Sequence, residues 1–221
     1  MPDSQVQLSD IDVAWAIHRL ACSLLRYRHP VPYSRLSPSG VYLMFEDGEE
    51  TPVGPRVVRI GISRAGGLAK RLRKHYADHR GSSVFRRHVG LALLARDGAT
   101  QTEIARWRDR LQPMPAREAE VTEYIETHFS LCCIAVDDYA ERCGLETWLV
   151  GSLSAWPVSP ASPGWLGHYR GGKIANSGLW NVHGVLAAGS PVDGGPLTRL
   201  YHLARTLSGP DMLQGPRPGS A

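Results

Sequence analysis

The sequence predicts an α/β (α+β) protein with a small central antiparallel β-sheet flanked by helices. Two runs rich in Val, Ile and aromatic residues, 41–46 and 57–63, are separated by a polar stretch that contains Gly48 and Gly54. This pattern is typical of an antiparallel hairpin with a long loop over residues 47–55. Apolar residues recur at helical spacing on both sides of it. The composition, 43% hydrophobic and 21% charged over 221 residues, excludes a disordered chain, a collagen-like repeat and a coiled coil.

Two helices are predicted beside the hairpin. The first covers residues 10–28, with Ser9 or Asp10 as its N-cap and an apolar face at helical spacing. Three prolines then break the chain before the hairpin begins. The second helix covers residues 68–77 and follows a Gly-Gly pair.

The rest of the chain adds further strands and helices. The apolar run 88–96 is predicted to be a third strand and residues 131–136 another, while residues 178–185 form a short strand or turn. Gly, Pro and Ser dominate the tail, so residues 208–221 are predicted to be disordered. Four more helices are predicted over residues 100–111, 116–129, 138–154 and 197–207, with a loop at 157–164.

Several classes of protein are excluded by the sequence. No run of 18 apolar residues is present, so no membrane-spanning helix and no membrane partner are expected. Asp3, Asp10 and Asp12 interrupt the first residues, which do not resemble a secretory signal. The cysteines are too few and too unevenly placed for a disulfide framework. We therefore expect a cytoplasmic protein with reduced thiols at Cys22, Cys132, Cys133 and Cys143.

The charge of the chain is unevenly distributed. Residues 56–88 contain ten Lys or Arg and a single acid, Asp78, although the whole chain carries only +4. Residues 118–141 contain seven acids and no Lys or Arg. A basic block beside an acidic one is typical of a protein that binds a polyanion with its basic face, while the acidic part faces elsewhere. A solvated helix surface is the alternative interpretation.

A set of motifs follows in a fixed order along the chain. A Gly-Val-Tyr triplet at 40–42 opens one strand, an Arg-Ile-Gly triplet at 59–61 closes the next, and LAKRLRKH at 68–75 starts a helix. Glu146 near the start of a long helix and the late Asn181 come next. Over residues 40–185 this set resembles the GIY-YIG nuclease family, which includes excision-repair nucleases, homing endonucleases and restriction enzymes. The resemblance implies a small antiparallel sheet flanked by helices, and DNA as the substrate.

The resemblance also implies roles for individual residues. Tyr42 would act as the base that deprotonates the attacking water, and Arg71 and His75, four apart on one helix face, would hold the phosphate. Glu146 would bind Mg²⁺, and Asn181 would contact a phosphate or support the site. Each has a structural alternative. Tyr42 could pack in the core, and Arg71 and His75 could simply lie at the helix surface. Glu146 could be an acid that the dipole stabilises near the start of a helix, and Asn181 could form a turn.

The sequence departs from the family pattern at one motif position. Arg59 stands where the second triplet of the family has a tyrosine. An arginine remains protonated and cannot act as a base. It can instead lie across the hairpin from Tyr42 and favour a phenolate electrostatically, so we place Arg59 among the catalytic residues.

Further DNA contacts are expected from the basic block and from the late aromatic residues. Trp156, Trp165 and Trp180 can stack on bases, although core packing is the favoured interpretation for at least two of them. The expected phosphate contacts, for which a solvated surface is the alternative, are Arg64, Lys70, Lys74, His79, Arg80, Arg86 and Arg87.

The sequence therefore predicts a Mg²⁺-dependent endonuclease that hydrolyses DNA phosphodiester bonds. Two alternatives stay open, a nucleic-acid-binding protein that has lost cleavage, which Arg59 favours, and a small-molecule enzyme or ligand-binding protein that reuses the scaffold. Whether a homodimer forms also stays open. The predicted organisation is an N-terminal helical extension (1–36), a nuclease domain (37–186), a C-terminal helix (187–207) and the disordered tail (208–221).

Overall fold

A four-stranded antiparallel sheet with helices on both faces forms the framework of the chain. The computed structural model describes residues 9–77, 79–157, 159–193 and 195–207. The strands are β1 (Tyr27–Arg28), β2 (Gly40–Thr51), β3 (Gly54–Ile62) and β4 (Phe129–Ala135), in the spatial order β1-β4-β2-β3. This arrangement confirms the predicted α+β class. The helices are α1 (Asp10–Ser23), α2 (Leu68–Tyr76), α3 (Val84–Arg96), α4 (Gln101–Arg108), α5 (Pro115–His128), α6 (Tyr139–Ala155), α7 (Gly167–Arg170), α8 (Gly172–Ser177) and α9 (Pro196–Leu207).

The predicted hairpin is present, but its loop is much shorter than residues 47–55. β2 continues to Thr51 and β3 begins at Gly54, so only two residues connect the strands. The pairing slips between Phe45 and Glu50, and this irregularity accommodates the polar residues that suggested a loop. Tyr42 pairs with Gly61 across the hairpin, which brings the two motif triplets side by side.

The apolar run 88–96 is helical, and the prediction of a third strand there is wrong. It belongs to α3, which begins at the N-cap Ser83, whose side chain accepts a hydrogen bond from the Arg86 amide. Periodicity does not separate a buried helix from a buried strand in so short a run. The leucines and alanines of the run favour a helix. Gly90 lets the indole of Trp107 pack against the helix, since a Cβ at this position would lie 2.1 Å from its ring.

The first helix ends earlier than predicted because the chain turns into a strand that the sequence analysis missed. α1 stops at Ser23, after the capping box formed by Ser9 and Asp12. Two residues, Tyr27 and Arg28, then pair with β4. The remaining predicted helices and the strand at 131–136 are confirmed within a few residues, and residues 178–185 form turns.

Each face of the sheet carries its own apolar core. Val41, Leu43 and Phe45 of β2 face a cluster built with α1, α6 and α9. Tyr42 and Met44 point to the opposite face, against α2, α3 and α5. Burial on both faces explains why residues 41–45 in the first half of β2 are apolar at every position instead of alternating.

The terminal helices belong to the core of the sheet. Ile17 of α1 and Leu200 of α9 are buried in the same cluster as β2. The predicted division of the chain after residues 36 and 186 stays a prediction, and the predicted tail 208–221 lies outside the described residues. All four cysteines are free. Within the described ranges, none of the helices combines the length and the apolar character needed to cross a membrane.

Candidate active site

A cleft of about 250 Å³ opens beside β3, at the free edge of the sheet. Its walls come from β3, α2, α3, α6 and the segment that follows α8. Three charged residues that were predicted to be catalytic, Arg59, Arg71 and Glu146, line the cleft together. They come from positions far apart in the sequence. The lining residues are Arg59, Arg71, Val84, Glu146, Thr147, Val150, Asn181, Val182, His183 and Gly184.

Glu146 supplies the carboxylate of the cleft. It lies in the third turn of α6, half-buried, and accepts a hydrogen bond from the backbone of Ile62 at the end of β3. Burial raises the pKa of the Glu146 carboxyl, while Arg59, Arg71 and His183 act in the opposite direction. A partly desolvated carboxylate is a suitable ligand for a cation, and the positive groups that it faces suit a phosphate.

Arg59 and Arg71 supply positive charge. The Arg59 guanidinium donates to the carbonyl of Trp180 at 3.0 Å and stacks over Phe85. Neither arginine lies within 4.0 Å of a carboxylate in the described part of the chain, and the buried Nε of each has no hydrogen-bond partner there. Unpaired guanidinium groups in a concave site are typical of phosphate recognition.

Tyr42 and His75 are not among the residues that line the cleft. Both are fully buried. The Tyr42 hydroxyl is 2.7 Å from Nε2 of His75, and Nδ1 of His75 is 2.8 Å from the Ser83 hydroxyl. Burial, and then the charges of Arg59, Arg71 and Arg86, hold the pKa of His75 well below its usual range. His75 is therefore neutral, so one of its ring nitrogens accepts a hydrogen bond while the other donates one.

The hydroxyl of Tyr42 requires the glycine of the second triplet. A Cβ at Gly61 would lie 2.2 Å from this oxygen, so no other residue fits beneath the phenol. Arg59 pairs with Met44, two positions from Tyr42, and its guanidinium points to the late segment. Its contacts therefore tie the hairpin to the segment after α8.

Asn181 closes the exposed edge of β3. Its amide oxygen accepts from the Ile60 amide at 3.0 Å, and its amide nitrogen donates to the Ile60 carbonyl at 2.9 Å. The Trp180 amide donates to Val58 at 2.7 Å. Together with the contact between Glu146 and Ile62, these bonds satisfy an edge that would otherwise present free backbone groups. Of the two roles considered for Asn181, these contacts are those of support.

His183 also lines the cleft, although it was not predicted as a site residue. It is exposed, two residues beyond Asn181. The sequence offers one signal for His183, namely its position two residues after the motif residue Asn181. The composition of the segment does not distinguish it from a surface histidine. In the cleft, its imidazole can donate to or accept from a bound group.

Comparison with family models matches residues 25–206 to the GIY-YIG domain. The chain belongs to the GIY-YIG domain family. Comparisons with curated proteins and with solved structures gave no significant match. GIY-YIG domains generally occur in nucleases, so membership indicates a nuclease-type hydrolase that acts on nucleic acid. The matched region also includes β1 and most of α9, in agreement with the single framework described above.

Two of the expected DNA contacts are buried inside this GIY-YIG domain. Arg80 and Arg86 are fully buried and bind the two oxygens of Glu118, at 2.9 Å and 3.2 Å. Arg80 also donates to carbonyls around the end of α4 and stacks over Trp107. This burial corrects the expectation that Arg80 and Arg86 contact DNA phosphates. It also shows that part of the acidic block neutralises part of the basic one.

The other expected DNA contacts reach the surface to different extents. Arg64, Lys70 and His79 are exposed, whereas Lys74 and Arg87 are half-buried. His79 lies 3.3 Å from Glu118, so its surroundings are shared with the buried arginines.

The late tryptophans serve the core. Trp165 and Trp180 each donate an indole N–H at 2.8 Å to Oε2 of Glu46, and the Tyr124 hydroxyl donates to Oε1 at 2.6 Å. Trp156 is half-buried against the other face. Core packing, rather than base stacking, therefore describes all three tryptophans. Glu46 was not identified from the sequence, because its role depends on three partners more than 70 residues away.

Proposed function

We propose that this chain is a divalent-metal-dependent endonuclease that hydrolyses DNA phosphodiester bonds. The observation that carries the proposal is the convergence of Arg59, Arg71 and Glu146 in one cleft of a GIY-YIG fold. Two unpaired positive groups and one carboxylate match the needs of a reaction in which negative charge accumulates around phosphorus.

The two arginines bind and orient the scissile phosphate. Their positions on β3 and α2 are fixed by the hydrogen bond from Arg59 to Trp180 and by the packing of Leu68 and Leu72 in the core. Their charge is available because no carboxylate is paired with either of them in the described chain. Binding the developing charge more strongly than the ground state lowers the barrier to cleavage.

The donor set of the cleft fits Mg²⁺. Mg²⁺ prefers oxygen ligands and is commonly held by one or two carboxylates together with water and substrate phosphate oxygens. Glu146 is the carboxylate that lines the cleft, and no group of three metal-ligating side chains occurs among the described residues. In this proposal Glu146 holds the ion. When bound, the ion stabilises negative charge on the phosphate and on the leaving oxygen.

Tyr42 is the base in this scheme, acting as the phenolate that remains once its hydroxyl proton has passed to water. Nε2 of neutral His75 can accept a hydrogen bond from the Tyr42 hydroxyl while its Nδ1–H donates to Ser83, and these contacts orient the phenol. As a phenolate, Tyr42 can take up a proton from the attacking water. Its hydroxyl is covered in the free protein, so the scheme requires DNA binding to admit water to it.

Cleavage of supercoiled plasmid tests the proposal. We expect Mg²⁺-dependent nicking that EDTA abolishes and that Glu146→Gln reduces at least about 100-fold, since ligation of the metal contributes several kcal/mol to the transition state. Glu123→Gln is the matched control, because Glu123 is an exposed glutamate on α5. Equal nicking by Glu146→Gln and the control would contradict the proposal.

The principal competing function is DNA binding without cleavage. Arg59 in place of the motif tyrosine and the covered hydroxyl of Tyr42 favour it. In that case the wild-type chain binds duplex DNA but shows no metal-dependent nicking. An absence of any salt-sensitive DNA binding would instead favour a small-molecule ligand.

A further inference from the structure

A second group of basic residues lies next to the cleft, where α3, α4 and α7 meet. It consists of Arg87, Arg108 and Arg170 and is called the α3–α7 track below. Arg87 follows Val84, which lines the cleft, by three positions on α3, so the two lie on neighbouring turns of one helix face. Arg108 ends α4, whose Trp107 donates to the carbonyl of Arg87 at 3.0 Å.

The third member of the track is held in place by a histidine. Nε of Arg170 donates to Nδ1 of His88 at 2.9 Å. Burial, together with the smaller effects of the positive charges on Arg170, Arg87, Arg59 and His183, lowers the pKa of His88 to about 3. His88 is therefore a neutral acceptor, and its hydrogen bond fixes the position of the Arg170 guanidinium beside α3.

The track and the cleft share one electrostatic environment. The positive charges of Arg87 and Arg170 in the track, and of Arg59 and His183 in the cleft, all act to lower the pKa of His88. Burial lowers the pKa of Arg170, and the positive charges of Arg108 and Arg87 add to this effect. The positive groups are therefore close enough to repel one another.

No acidic residue of the described chain compensates this repulsion. Arg87, Arg108 and Arg170 form no ion pair within 4.0 Å there. Other arginines of the molecule are neutralised, as Arg80 and Arg86 are by Glu118. Arg108 is exposed, and the other two members of the track are half-buried, so the track is open to solvent. Such a cluster is stabilised when a polyanion binds it.

We propose that the α3–α7 track binds the phosphate backbone of the DNA strand as this strand leaves the cleft. The inference rests on the proposed function, because it assumes that the scissile phosphate lies between Arg59, Arg71 and Glu146. Guanidinium groups suit successive phosphates, since each can bind two oxygens of one phosphate. The track also includes Arg108 and Arg170, which lie outside the basic block of residues 56–88.

The salt dependence of DNA binding tests this proposal without cleavage. The full chain is titrated against a fluorescent duplex in EDTA, and the logarithm of the binding constant is plotted against the logarithm of the KCl concentration. Each lost phosphate contact reduces the slope by about 0.9. We expect the Arg87→Ala, Arg108→Ala, Arg170→Ala triple variant to lose up to about 2.7 from the slope, and the corresponding triple lysine variant to retain most of it.

Two controls separate the track from general loss of charge or fold. Arg19→Ala removes an exposed arginine from α1, on the opposite face of the sheet, and we expect its slope to match that of the wild-type chain. Arg108→Ala alone, at an exposed position without an ion pair in the described chain, is decisive if the triple variant fails to fold. It should lose about 0.9 from the slope and melt at or slightly above the wild-type temperature.

The outcomes distinguish the two proposals. If the triple alanine variant keeps the wild-type slope, the track proposal is overturned and the nuclease proposal is left intact. If the triple variant fails to fold, a wild-type slope in Arg108→Ala has the same meaning. A loss of slope in Arg19→Ala equal to that in Arg108→Ala would also overturn it, because the effect would then be general. A wild-type chain whose DNA binding does not depend on salt would overturn both proposals.

Discussion

At the scale of single residues, Tyr42 combines a catalytic assignment with complete burial. Its hydroxyl contacts His75 and lies over Gly61. If it is the base, Tyr42→Phe should reduce kcat for plasmid nicking by about 100-fold to 10,000-fold, the usual contribution of proton transfer. The variant should lose only about 1 kcal/mol of stability, the value of one buried hydrogen bond.

Tyr76→Phe is the matched control for this measurement. Tyr76 is buried in the same apolar cluster as Tyr42, and its hydroxyl has no hydrogen-bond partner among the described residues. We expect nicking by this control to equal that of the wild-type chain. Wild-type kcat in Tyr42→Phe would instead place the base elsewhere, and His183 is the next residue to test, because its imidazole lies in the cleft.

At the scale of elements, the free edge of β3 depends on one side chain. Asn181→Ala removes both hydrogen bonds to Ile60, and the segment that carries His183 loses its anchor. We expect a loss of about 1–3 kcal/mol in the free energy of unfolding, measured in urea, because two buried backbone groups are left unpaired. Nicking should fall as well. Unchanged stability would show that water replaces the amide.

The elements also show what the sequence determines and what it does not. The hairpin and the helix α6 follow from local signals, namely strand composition around Gly48 and Gly54 and the cap at Asp138. Helix α3 was misassigned because its apolar run is buried on several sides, and its Ser83 cap was overlooked. Short apolar runs take their structure from tertiary packing, which local pattern does not contain.

The candidate site divides in the same way. Glu146 and Arg71 were identified because the order of motifs along the chain carries over to the fold. His183 was not identified, because its place in the cleft depends on the path of the segment after α8. The burial of Arg80 and Arg86 was not identified either, because it depends on the position of Glu118. Charge counted along a sequence does not show which basic residues are already neutralised.

At the scale of the whole molecule, Glu46 joins distant segments. It lies on β2 and binds Tyr124 of α5, Trp165 and Trp180. Burial raises the pKa of Glu46 above its ordinary value of 4.5, although the three hydrogen bonds oppose this effect. The folded state therefore holds a proton more tightly than the unfolded state, and this contribution to stability is lost as the pH rises through the raised pKa.

Glu46→Gln tests this linkage, because glutamine keeps an oxygen for the two indoles but does not titrate. Urea unfolding from pH 4.5 to pH 8 should show the wild-type chain losing stability relative to Glu46→Gln as the pH rises. The opposite trend would mean that the hydrogen bonds outweigh burial and lower the pKa of the carboxyl below its ordinary value.

The cleft is assembled from both early and late parts of the chain. Arg59 comes from the hairpin, whereas Asn181 and His183 come from the segment after α8, more than 120 residues later. A nascent chain still emerging from the ribosome, or a proteolytic fragment that ends before residue 180, lacks one wall of the site. On the proposed function, cleavage of DNA is therefore expected only after this late segment has docked against β3.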